Sequence, residues 1–269
     1  MAAPPSPAQW SDALVARVLD DALRQGARVL GISGLQGTGK STLATQLAAA
    51  GRARGLAIAV LSLDDLYLDH RARQRLARTV HPLLATRGPP GTHEVAFGCA
   101  LLDTLRAGGS TRLPRFDKGR DDRRPAADWA SAGPVALTVF EGWCLGATPE
   151  PAEALAAPIN ALERDEDPDG TWRHWCNTAL ARDYPALWRR VDRLLFLQPP
   201  GFEVVPTWRW QQEQALRSAA PDRAGMDRAQ VERFVQHYER VSRRLLRTLP
   251  DTADVVIALD AQRRVRLPG

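Results

Sequence analysis

The chain has 269 residues, 36 basic against 31 acidic side chains, and a formal net charge of +5. With 44% hydrophobic and 25% charged residues it reads as a folded globular protein, which excludes wholesale disorder. No run approaches the roughly 18 apolar residues of a membrane span. The N-terminus lacks the basic and apolar regions of a secretory signal. Cys99, Cys144 and Cys176 are odd in number and have no CxxC spacing, which argues against a disulfide framework or zinc site. The expectation is a cytoplasmic protein. Only Lys40 and Lys118 of the basic residues are lysine. No dense basic block is interleaved with aromatics, so the basic balance reads as solvated surface, with neither nucleic acid nor membrane as a partner.

In chain order, residues 1–9 are Pro/Ala-rich and read as a flexible tail. Residues 10–269 read as one domain. Ser11 is a candidate N-cap for a helix whose apolar stripe is Leu14, Val15, Val18, Leu19 and Leu23, with Gly26 as its stop. Residues 28–33 are a short apolar run, predicted as a buried strand. A Gly-rich turn and a helix over 40–50 follow, then a second strand over 56–63. Residues 64–94 are expected to be a loop with one short helix near 70–79, and 95–106 a helix. Residues 111–134 read as irregular. A third strand is predicted over 135–140, helices over 151–190 with a break near 167–170, and a fourth strand over 194–197. Helices over 207–219 and 227–248 precede a fifth strand over 254–259. Asp227 and Gln230 have capping-box spacing. Short apolar strands alternating with helices predict an α/β fold, a doubly wound, mostly parallel sheet with helices on both faces. The 64–94 and 111–134 stretches are expected to overhang a cleft, and residues about 200–225 to form a helical lid.

Residues Gly34 to Ser41 (GLQGTGKS) fit G-x-x-x-x-G-K-[ST] between a predicted strand and a predicted helix. This predicts a P-loop NTPase-type site. Gly34, Gly37, Thr38, Gly39, Lys40, Ser41 and Thr42 would hold the phosphates of ATP, and the Ser41 hydroxyl Mg²⁺. SLDDLY (62–67) ends the second strand, where ligands of open α/β sheets bind. Asp64 is the candidate to orient or deprotonate an acceptor hydroxyl, with Asp65 as an indirect Mg²⁺ partner; the competing reading is a pair of capping aspartates. Glu141, just after the third strand, can serve as the metal's acid.

Two loops read as the acceptor wall. In the first, Arg87, Thr92 and His93 are polar groups around a stiff Pro/Gly turn. In the second, Lys118 is the flexible cation for a carboxylate or phosphoryl, or else one member of a loop ion-pair cluster. Asp65, Tyr67 and Arg123 are counted on the same side. Arg209, Glu213 and Arg217 share a helix face. That face reads either as a lid whose Arg209 closes on the phosphates or as an exposed Arg–Glu–Arg ladder.

Taken together, the P-loop, SLDDLYL (62–68), HPLLATRGPPGTHE (81–94), PRFDKG (114–119), FEGWCLG (140–146), WRWQQE (208–213) and GMDRAQVERFVQHYERV (225–241) resemble one superfamily. It is that of the uridine, pantothenate and phosphoribulokinase P-loop kinases, and within it the glycerate 3-kinases. The resemblance implies a catalytic carboxylate at Asp64, an acceptor loop carrying Arg87 and His93, and Glu141 near the metal. It implies ATP and Mg²⁺ as cofactors and a small hydroxy acid as substrate, D-glycerate giving 3-phosphoglycerate. The alternatives are a kinase of a nucleoside, pantothenate or another sugar acid, and a non-metabolic nucleotide-binding switch.

Overall fold

The structure is a computed structural model, and it describes residues 9–219 and 225–266. The tail expected over 1–9 lies almost wholly outside the described residues, as does the 220–224 portion of the expected lid. Helix α1 (Asp12–Arg24) leads to β1 (Val29–Ser33), α2 (Lys40–Ala53) and β2 (Ile58–Ser62). Then come α3 (His70–Thr79), α4 (Val95–Arg106) and four short strands: β3 (Thr111–Leu113), β4 (Phe116–Asp117), β5 (Asp122–Arg123) and β6 (Ala130–Ala132). The chain continues through β7 (Leu137–Gly142), α5 (Ala161–Glu166), α6 (Thr171–Arg182), α7 (Tyr184–Trp188) and β8 (Arg193–Gln198). It closes with α8 (Val205–Ala219), α9 (Arg228–Thr252) and β9 (Val255–Ala258).

Five strands form a parallel sheet in the order β2-β7-β1-β8-β9. Alternate residues of each strand feed two cores. Leu30, Ile32, Leu137, Val139, Leu195 and Leu197 pack under α1 and α2. Val29, Leu61, Phe140 and Phe196 pack under α4, α7 and α9. Both faces are therefore covered, and β1 and β7 are buried throughout.

Local signals act as expected at several ends. The Ser11 side chain accepts from the Leu14 N–H, and Asp227 and Gln230 close a capping box on α9. Three expectations change. Residues 111–134 are not irregular throughout, since β3 pairs antiparallel with β6 and β4 with β5. Strands of two or three residues bury too little to leave a period in the sequence, so tertiary pairing alone defines them. Glu141 does not follow β7 but lies inside it, between Ile32 of β1 and Ser62 of β2. The apolar run ends at Phe140, whereas the hydrogen-bond ladder carries a charged residue one step further. Finally, α9 runs past Thr248 to Thr252, with Pro250 in its last turn.

Candidate active site

The carboxyl ends of β1, β2 and β7 stand side by side, and each delivers one part of the site. After β1 the chain turns through residues 34–39 into α2. Gly37 and Gly39 have φ of +85° and +89°, which other residues adopt only with strain. Gly37 is also covered by Trp208, so a Cβ there would lie 2.6 Å from that side chain's own Cβ. Thr38 Oγ1 donates to the Leu35 carbonyl at 2.9 Å, and Lys40 Nζ donates to the same oxygen at 3.1 Å. The N-cap of α2 is Gly39, which offers no side-chain acceptor, and no acidic residue sits in the first turn. A helix N-terminus left without a cap attracts anions. Thr42 is half-buried in that same first turn.

Lys40 is buried, and burial lowers its pKa against the pull of Glu141 and Asp64. Glu141 is buried too, and burial raises its pKa against the pull of Lys40. Its Oε1 accepts from Ser41 Oγ at 3.0 Å. The loop end and the tip of β7 thus meet at a pair of hard oxygen donors, the kind that Mg²⁺ takes.

Beyond β2, a short 3₁₀ turn (Leu63–Leu66), capped by Ser62, carries both aspartates. Asp64 Oδ1 accepts from the Tyr67 hydroxyl at 2.6 Å, and Oδ2 accepts from Lys118 Nζ at 2.5 Å. Burial works to raise the Asp64 pKa, but Lys118, Tyr67 and Lys40 outweigh it and hold the carboxyl well below its ordinary range. Asp64 is therefore ionised at neutral pH. Tyr67 packs against His93 with ring centroids 5.0 Å apart and the planes tilted by 41°. His93 Nδ1 lies 2.5 Å from the Tyr184 hydroxyl, while its buried Nε2 has no partner among the described residues. Burial depresses the His93 pKa to about 4, so the imidazole is neutral at pH 7.

Asp64, Tyr67, His93 and Lys118 thus converge. Four other expected ligand contacts are engaged elsewhere. Asp65 Oδ2 accepts from Arg115 Nη1 at 2.6 Å and Oδ1 from the Phe116 N–H at 2.9 Å, so it anchors the start of the second loop. Arg87 pairs with Asp121 and lies over the Phe116 ring at 5.7 Å. Arg123 donates to the Tyr67 carbonyl at 2.8 Å and pairs with Glu94 at 3.2 Å. Arg209 pairs with Glu213 at 2.9 Å and covers Phe234 at 5.7 Å, whereas Arg217 donates to the Gly225 carbonyl. Only half of the expected Arg–Glu–Arg ladder forms. In each case a carboxylate, carbonyl or ring of this chain has taken the polar group.

Sequence reasoning missed several supports. Trp10 Nε1 donates to the Gly39 carbonyl at 3.1 Å, and Arg263 Nε donates to the Gly37 carbonyl at 2.8 Å. Arg263 also lies over the Trp208 ring at 4.8 Å. Arg73, almost fully buried, ties Asp121 to the Leu68 and Ala85 carbonyls. None of these falls at a motif spacing.

A family model described as methylmalonyl Co-A mutase-associated GTPase MeaB matches residues 2–66, the part with the phosphate loop and less than half of the chain. The uncharacterized kinase mug58 of Schizosaccharomyces pombe is 35% identical over 221 residues, covering 78% of this chain and 78% of that protein. The chloroplastic D-glycerate 3-kinase of Arabidopsis thaliana is 31% identical over 232 residues, covering 82% of this chain and 48% of that enzyme. The chain thus spans about half the length of the plant enzyme. The solved structure of a D-glycerate 3-kinase from Cryptococcus neoformans var. grubii matches with a TM-score of 0.81 and 27% identity, covering 95% of this chain and 98% of that one. No helix among the described residues is long and apolar enough to cross a membrane. The chain belongs to the D-glycerate 3-kinase family of P-loop kinases and is a phosphotransferase with an alcohol group as acceptor.

Proposed function

We propose that the chain transfers the γ-phosphoryl group of ATP to a hydroxyl of a small hydroxy acid, D-glycerate giving 3-phosphoglycerate. The observation that carries this reading is the convergence of an ionised carboxylate, Asp64, with a phosphate-loop lysine and with a second, half-exposed lysine, Lys118. The names of the plant and fungal relatives point to the same acceptor.

The residues present fit a triphosphate and a divalent cation. The α2 N-terminus is uncapped, and Lys40 has only a loop carbonyl as partner among the described residues. The amides of residues 37–41 and Lys40 would hold the phosphates, and Ser41 with Glu141 would hold Mg²⁺. A bound Mg²⁺ would supply charge neutralisation for the phosphates. Asp64 orients the acceptor hydroxyl in line with the γ-phosphorus and takes its proton as the new P–O bond forms and ADP leaves. Neutral His93, with Nε2 unpartnered beside Tyr67, contributes a hydrogen bond to the acceptor rather than a charge. Arg87 and Arg123 hold the acceptor loops in place, and α8, seated on Gly37 through Trp208, acts as the lid over the phosphates.

The test is a panel of D-glycerate, L-glycerate, glycerol, uridine and pantothenate, read as ADP release with the product identified by mass. D-Glycerate is expected to exceed the others by about 100-fold or more in kcat/KM. A nucleoside as best acceptor would replace the acid reading. ATP or GTP hydrolysis that no metabolite accelerates would favour a nucleotide switch, the reading suggested by the match to the GTPase model.

A further inference from the structure

Asp64 has both carboxylate oxygens engaged before any acceptor arrives: Oδ1 by the Tyr67 hydroxyl and Oδ2 by the Lys118 ammonium. The two partners are held very differently. Tyr67 is buried, wedged between His93 and Phe116 with centroids 5.0 and 5.1 Å away, and its backbone bridges to His93. Lys118 rides on the turn joining β4 to β5. That turn is shaped by Asp117 Oδ1, which accepts from the Gly119 and Arg120 N–H groups at 2.9 and 3.1 Å. The Lys118 side chain is 52% exposed, and Asp64 is its only acceptor among the described residues. Lys40, the other lysine, is buried and tied to Leu35, so it cannot change places with Lys118.

We propose that Lys118 is a positioning residue that caps Asp64 until the acceptor's own carboxylate draws the ammonium away, leaving Oδ2 to receive the acceptor hydroxyl. The inference rests on the reading of Asp64 as the group that faces the hydroxyl. A hydroxy acid exchanges one ion pair for another, so the number of paired charges is conserved. A neutral alcohol must break the Lys118–Asp64 pair with nothing in return, leaving charges only partly exposed to water unpaired. Loss of the ammonium also removes the strongest influence that keeps the Asp64 carboxyl acidic, so the same event makes it a better base. Discrimination between acids and neutral alcohols is then expressed in turnover as well as in binding.

The chain has only two lysines, so uniformly labelled ¹³C,¹⁵N-lysine gives two side-chain Cε–Nζ correlations by NMR, assigned with Lys118→Met. D-Glycerate should move the Lys118 correlation, equal concentrations of glycerol should not, and Asp64→Asn should move it without ligand. In steady-state assays, Lys118→Met should raise glycerol turnover about tenfold over the unmodified enzyme while lowering kcat/KM for D-glycerate about tenfold or more. A Lys118 correlation that answers Mg·ATP and not D-glycerate overturns the proposal. So does a Lys118→Met enzyme with raised KM for D-glycerate and unchanged glycerol turnover, because that describes a fixed counter-ion. Failure of the functional reading looks different: no hydroxy acid in the panel is phosphorylated at all, which removes both. Failure of the inference alone leaves D-glycerate phosphorylated and the correlation unmoved.

Discussion

Asp64 sits among charges of both signs, and its chemistry follows from which of them dominates. Burial favours the neutral acid, yet Lys118, Tyr67 and Lys40 together keep it ionised. Asp64→Asn keeps the shape and removes the charge proposed to act as base. We expect kcat to fall by roughly 10²- to 10⁴-fold, with ATP affinity by calorimetry within about threefold of the unmodified enzyme. Turnover within a factor of about ten would take Asp64 out of the proton transfer. The place of Asp64 just past β2 was legible, and a strand end is where an open sheet binds ligands. Asp65, one residue on, was expected beside it at the ligand, but its oxygens hold Arg115 and the Phe116 amide. Adjacent residues on a 3₁₀ turn point in different directions, and a linear pattern does not say which faces the cleft. The same limit applied to Arg87 and Arg123. In a chain so rich in arginine, nothing in the spacing distinguishes a guanidinium that meets a substrate from one that braces a loop.

At the scale of elements, the central strands were readable since each is a short run buried on both faces, and the phosphate loop because its glycines are a steric requirement. The small β3–β6 and β4–β5 pairs were not, as strands of two or three residues leave no period in the sequence. The contact between the phosphate loop and α8 was also invisible, although Trp208 leaves no room for a side chain at Gly37. Gly37→Ala combines a φ of +85° with a clash against Trp208. We expect a loss of about 1–3 kcal/mol in urea unfolding. Weaker ATP binding should accompany it, because the loop and the helix above it must part. An alanine variant as stable and as tight-binding as the parent would show that α8 does not rest on the loop.

For the whole molecule, two buried imidazoles link folding to pH. His93 lies in the loop before α4 and His237 lies on α9 beside Trp172 of α6, and burial lowers each pKa from 6.5 to about 4. Between these values the unfolded chain binds protons that the folded chain refuses, so stability is complete above pH 6.5 and declines as pH falls toward 4. At pH 5 each histidine should cost about 2 kcal/mol relative to pH 7.5. Urea unfolding at the two pH values measures the sum. His237→Asn should shrink the difference by about 2 kcal/mol, and an unchanged difference would exclude that histidine as a source.

Two indole rings lie against the phosphate loop: Trp10, which hydrogen-bonds Gly39, and Trp208, which covers Gly37 beneath the Arg263 guanidinium. Emission from an indole depends on the polarity and charge around it. Loading of the loop with nucleotide should therefore change the intrinsic fluorescence of the unlabelled protein. Phenylalanine in place of both rings should diminish that change. The molecule carries its own optical gauge of nucleotide occupancy, independent of which alcohol it phosphorylates.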